Sequence, residues 1–257
     1  MSRAMSIVLG FGLTGILGGI AQLLAQPPAA TPAPVKPEGK SKDPSAPTGS
    51  TSDIELVEKL IASRKAYQAS LENLYRHYNK VDAEKAAWAE SELREFHRVT
   101  KNAYRLEMFV PVESLQPKKN IPEANELLRQ AMSYKGRGSG TDAIDNQRRS
   151  ELLLQYILDK YYESDKIPEV AYQLGETYSD YRPKPQYRLA AAFYERSWQW
   201  GPAVHPDARM KAARIYDKSL SDQVNAVRLY KEVRLHDADD ARLQEASKRL
   251  VDLTGRK

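Results

Sequence analysis

The chain of 257 residues contains no cysteine. That excludes disulfides, thiol catalysis, zinc–thiolate sites and lipid attachment to an N-terminal Cys. Histidine is nearly as scarce. His77, His97, His205 and His236 stand at no metal-ligand spacing, and no H-E-x-x-H occurs. No segment concentrates charge of one sign. Residues 1–52 hold 4 basic and 2 acidic side chains, residues 53–120 hold 12 and 11, and residues 121–257 hold 23 and 21. Phosphate neutralisation needs a local excess of Lys and Arg, so no nucleic-acid partner is expected. The glycine stretch Gly136-Arg137-Gly138-Ser139-Gly140 lacks the spacing of a phosphate-binding loop and no apolar strand precedes it. It reads as a plain loop. Asp237, Asp239 and Asp240 fit no EF-hand spacing and read as a helix N-terminus. No catalytic residue, cofactor or metal is expected.

Apolar runs are short everywhere except at the start. Arg3 precedes an apolar stretch from Ile7 to Ala25, and Gly19-Ile20-Ala21 gives a small-x-small cleavage site after Ala21. Residues 1–25 therefore read as an export signal, either cleaved or kept as an anchor. Membrane contact through residues 7–25 follows only if the leader is retained. The expected compartment is the bacterial cell envelope or periplasm. Residues 26–52 carry seven prolines, from Pro27 to Pro47, among Ala, Ser, Thr, Gly and Lys. With almost nothing to bury, that segment reads as an extended, disordered tether.

The folded part reads as all-α. Apolar residues recur at threes and fours from Ile54 through Val57, Leu60, Ile61, Tyr67, Leu71, Leu74 and Tyr78 to Val81. Trp88, Phe96, Val99, Ala103 and Leu106 continue the pattern. Asn79-Lys80 followed by Asp82, a good N-cap, predicts a break near residue 80. Residues 53–108 are expected to form a helical hairpin, with helices of about 53–79 and 82–107. One continuous coiled-coil helix, able to organise a homo-oligomer, is the open alternative. Val110-Pro111 and Gln116-Pro117 mark residues 109–120 as an extended connector.

From residue 121 the chain repeats. Ile121-Pro122-Glu123 recurs as Ile167-Pro168-Glu169, each placing proline in the first turn of a helix. Ala171, Leu174, Gly175 and Tyr178 share one face of a first helix. Ala190, Tyr194 and Ser197 share one face of a second, and Pro202 closes the unit. This run resembles the tetratricopeptide repeat (TPR), with its Trp-x2-Leu-Gly-x2-Tyr, Ala-x3-Phe-x2-Ala and Pro pattern. The next unit matches through Arg209, Ala212, Ala213 and Tyr216, then Ala226, Tyr230 and Val233. An earlier unit is degenerate, with Arg129 at the small-residue position. Residues 121–257 then comprise about three helix-turn-helix units and a capping helix near 240–253, which is a short α-solenoid.

The resemblance implies a concave groove lined by the first helix of each unit. By position it would display Tyr172, Gln173, Glu176 and Ser179, then Met210, Lys211, Arg214 and Asp217, then Gln244 and Lys248 from the cap. Such a surface suits a protein or peptide segment of unstated identity. Where carboxylate-gripping members carry Lys and Asn, this chain has Tyr172 and Glu176, so that ligand is not expected. In layout the chain is similar to the Tol-Pal-associated periplasmic TPR proteins. The expectation is a non-enzymatic, exported scaffold. The alternatives are a structural oligomer organised by 53–107, and an exported helical hydrolase using Asp and Glu.

Overall fold

The computed structural model describes residues 51–255; the leader expected at 1–25 and all of the proline-rich segment expected at 26–52 except Thr51 and Ser52, which begin the first helix, lie outside the described residues. Among the described residues the chain is all-helical. It divides between Phe96 and His97 into two compact units. None of the described helices is long and apolar enough to cross a membrane.

In the first unit, α1 (Thr51–Tyr78) and α2 (Ala83–Arg98) are separate helices, so the continuous-helix alternative does not describe this segment. The break falls where Asp82 caps α2, its carboxylate accepting the Lys85 amide at 3.2 Å. Those bonds from Lys85 hold the Asp82 carboxyl below its usual range. Tyr75, Ala86 and Ala89 bury one another, with Tyr78 packed against them. Tyr67 meets Phe96 edge-on at 5.3 Å and its hydroxyl donates to Glu92. The second helix ends at Arg98 rather than near 107; beyond it only a 3-10 turn forms, at Leu106–Met108.

The second unit holds α3 (Pro122–Tyr134), α4 (Gly140–Lys160), α5 (Ile167–Ser179), α6 (Tyr187–Trp200), α7 (Ala208–Arg214), α8 (Gln223–His236) and α9 (Asp240–Thr254). Each of these helices packs against the next in the chain, from α3 on α4 to α8 on α9. The glycine loop is shorter than expected because α4 already begins at Gly140. Gly136, Gly138 and Gly140 all have positive φ, and a side chain at Gly138 would press on Asp142 at 3.1 Å. Arg129 is exposed and pairs with Glu126, whereas Ala124 and Ala131 are fully buried. The buried small residue Ala131 of this first pair is therefore two residues away from Arg129, where the repeat register put it. After Arg214 the backbone passes through a π turn, Ile215–Ser219.

Residues 109–120 are pinned rather than loose. The Arg196 guanidinium donates to the Pro111 carbonyl at 2.7 Å, and the Trp200 indole donates to the carbonyls of Val112 and Glu113. Further on, Asp165 N donates to the Lys119 carbonyl at 2.7 Å, within an isolated bridge between Lys119 and Ser164. The core runs along the helix seams. Leu154, Ile157, Ile167, Val170, Leu174, Leu229 and Val233 are fully buried, each contributing roughly 1.5–3 kcal/mol relative to exposure.

Beneath α4 lies a polar cluster. Glu151 accepts hydroxyls from Tyr178 at 3.0 Å and Tyr181 at 2.9 Å, while Arg148 stacks on the Tyr181 ring at 3.8 Å. Burial pushes the Glu151 carboxyl up, against the pull of Arg148 and the two hydroxyls. Arg148 also donates to the carbonyls of His97 and Arg182, at 3.0 and 2.8 Å. One side chain thus ties the start of this unit to the turn after α5.

Candidate functional site

A close approach of α5 to α6 sets the position of the candidate residues on α5. Gly175 lies against the Tyr194 ring so tightly that a Cβ there would stand 2.8 Å from Cδ1. Ala171 and Ala190 are fully buried beside it. Deeper in the seam the Ser197 hydroxyl donates to the Pro168 carbonyl at 2.8 Å, which satisfies a buried pair. With one edge of α5 fixed on α6, Tyr172 and Glu176 reach Asp207 and Lys211 at the start of α7, while Gln173 turns to Lys135 and Glu169.

Tyr172 is the centre of what forms there. Its ring stacks on His205, with centroids 3.6 Å apart, and its hydroxyl donates to Asp207 at 2.9 Å. Burial, with the Asp207 bond, pushes the Tyr172 hydroxyl up to about 12. Lys211 sits 4.8 Å over the same ring and bonds Glu176 at 2.5 Å. Tyr194 also donates to Glu176. Burial raises the Glu176 carboxyl, but the bonds from Lys211 and Tyr194 outweigh it and hold the group below the usual range. Desolvation opposes the Lys211 charge, yet the Glu176 and Tyr172 contacts carry its pKa well above normal. On the neighbouring side Lys135 donates to Gln173, Gln173 donates to Glu169 at 2.7 Å, and Glu169 pairs with His205. Burial lowers the Lys135 ammonium.

The pattern continues along the chain. Arg214 of α7 holds Glu245 of α9 with two bonds, at 2.9 and 2.5 Å. Asp217 accepts two bonds from Arg249 of α9, both 2.8 Å, and the Tyr230 hydroxyl at 3.0 Å. The Arg214 bonds lower Glu245, and the Arg249 bonds lower Asp217. Glu176–Lys211, Arg214–Glu245 and Asp217–Arg249 are thus three ionic rungs, joining α5 to α7 and α7 with its π turn to α9.

The expected groove residues divide accordingly. Glu176, Lys211, Arg214 and Asp217 come together on one run of helices but are spent on rungs. Tyr172 and Gln173 are buried, and Met210 is fully buried. Met210 belongs to the packing, a correction to its expected place on an accessible surface, because α7 turns that side chain into the interior. Ser179 is half-buried, while Gln244 and Lys248 are exposed. Among the repeat-defining residues, Ala171, Leu174, Gly175, Tyr178, Ala190, Tyr194, Ser197, Ala213, Ala226 and Tyr230 are buried. Tyr216 is half-buried, and Pro202 is exposed rather than packed.

Sequence reasoning missed Lys135, Glu169, His205, Asp207, Glu245 and Arg249. Glu169 and Asp207 were findable, since each stands four residues before a groove position, Gln173 and Lys211. Lys135 and His205 were not, because both arrive from turns. Chemically the face offers fixed charges, aromatic edges and hydrogen-bonding groups. No group of three or more metal-ligating side chains occurs among the described residues. No known protein family, curated protein or solved structure matches the chain.

Proposed function

We propose that this protein is an exported, non-enzymatic interaction scaffold of TPR type, whose α5–α7–α9 face binds an extended peptide or protein segment. The observation that carries the reading is the run of ionic rungs that Glu176, Lys211, Arg214 and Asp217 make from α5 through α7 to α9, the helix on which Gln244 and Lys248 are exposed. Chain-order packing from α3 to α9 supports a short solenoid, and Tyr67–Phe96 with the Tyr75–Ala86–Ala89 cluster supports a hairpin in the first unit. Export to a bacterial envelope or periplasm rests on the character of residues 1–25, with 26–52 as tether. The rungs fix the helix spacing, so a partner meets a pre-formed surface and engages Gln244, Lys248 and the exposed edges of the paired charges. Affinity capture from envelope fractions tests this. Wild type should retain a partner that a Gln244→Arg, Lys248→Glu variant loses; equal capture by both would contradict the reading.

A structural oligomer organised by residues 53–107 is the second reading. Leu56, Tyr67 and Leu74 are 66%, 43% and 45% exposed and recur on one stripe of α1 at coiled-coil spacing. A mass that rises with concentration in sedimentation equilibrium, and stops rising in Leu56→Lys, Leu74→Lys, would favour it.

A further inference from the structure

A cleft of about 460 Å³ opens between the 106–113 segment and the helices α6 and α8, within the size range of small-ligand sites. Among its walls are Glu107, Glu113, Glu195, Arg196, Tyr216 and Arg228. Glu195 is 8% exposed and fully engaged. One oxygen accepts the Tyr216 hydroxyl at 2.9 Å and the other accepts Arg228 Nη2 at 2.7 Å.

Both arginines are held from behind. Arg196 Nε donates to the Pro111 carbonyl at 2.7 Å and its Nη1 to Gln199 at 2.6 Å. Arg228 is fixed by Glu195 and by Asn225. Arg196 Nη2 and Arg228 Nη1 have no acceptor among the described residues. Two guanidinium groups, each anchored by protein acceptors and both lining one cleft, have the chemistry that suits a planar carboxylate.

The charge balance narrows the ligand. Glu195 is neutralised by Arg228, Glu107 is held by Arg105 at 2.6 Å, and Glu113, 71% exposed, lies 3.9 Å from Arg196. The cleft as a whole is close to neutral, so it has little pull on a free polyanion. A ligand that brings both signs satisfies the arginines and Glu113 together. We propose that this cleft binds a small zwitterion, an amino acid or short peptide with free ends. Its carboxylate faces Arg196 and Arg228, and its ammonium faces Glu113.

The test is calorimetric titration of the full chain with trialanine, its N-acetyl form, its C-terminal amide and inorganic phosphate. Trialanine should bind, and the amide and the Arg196→Gln and Arg228→Gln variants should each weaken it by about tenfold or more. Glu113→Gln, on an exposed side chain that cannot unfold the protein, should weaken trialanine but leave the N-acetyl form unchanged. Absence of binding at millimolar trialanine, equal binding of the amide, or phosphate binding as well as the peptide would overturn the proposal. So would a Glu113→Gln variant indistinguishable from wild type.

Discussion

Gly175 and Tyr194 are in direct contact, and the tyrosine ring occupies the space where any other residue at 175 would put its Cβ. The seam between α5 and α6 depends on that contact. Gly175→Ala should destabilise the second unit by about 1–3 kcal/mol through overpacking, despite the better helix propensity of alanine. Thermal unfolding measures it. Combining it with Tyr194→Leu should cost less than the two single losses added, because the clash is then relieved.

The ionic rungs are not equal. The Asp217 side chain is 5% exposed, whereas Glu176 and Lys211 are 27% and 30% exposed. Arg249→Met strands a nearly buried carboxylate and should cost roughly 2–3 kcal/mol. Lys211→Met leaves Glu176 reachable by water and bonded to Tyr194, and should cost about 1 kcal/mol. Urea midpoints of the two variants check the order.

Ser197→Ala should cost about 1 kcal/mol, since the Pro168 carbonyl, already paired in the ladder of α5, would lose its second, buried donor. Glycine at this position should be worse, by roughly the helix penalty of about 1 kcal/mol.

Acid should weaken the protein before its carboxylates titrate. Burial, helped by Lys101 and Arg148, lowers His97 from 6.5 to about 4. Between those values the unfolded chain binds the proton that the folded chain refuses. Its contribution is therefore complete above about pH 6.5 and lost as pH falls toward 4, up to about 3 kcal/mol. Glu176, Asp217 and Glu245 are also lowered, so the rungs contribute above the ordinary carboxylate range and fade only below it. Melting temperatures from pH 7 to 5 should fall less steeply in His97→Gln than in wild type.

Periodicity carried most of the helical layout, because buried apolar residues must repeat at the pitch of the helix. Pro122, Pro168 and the acidic residue Asp82 marked helix starts for local reasons, and the structure uses all three there. The end of α2 was not legible, since Val99, Ala103 and Leu106 extend the apolar spacing past Arg98, where the helix stops. Met210 shows the limit for a site. Positional analogy placed it beside Lys211 on a surface, but a π turn follows at Ile215–Ser219 and its side chain packs inside. His205 came from a turn whose path no periodicity describes, and its stacking on Tyr172 depends on that path.

A photo-crosslinking residue placed singly at Ser179, Gln244, Lys248, Val224 and Leu235 tests the account most directly. The first three stand on α5 and α9, while Val224 and Leu235, 80% and 73% exposed, stand on α8. The account predicts one adduct of common mass from Ser179, Gln244 and Lys248, and none from Val224 or Leu235. Adducts from Val224 and Leu235 alone, or no adduct from any position, would contradict it.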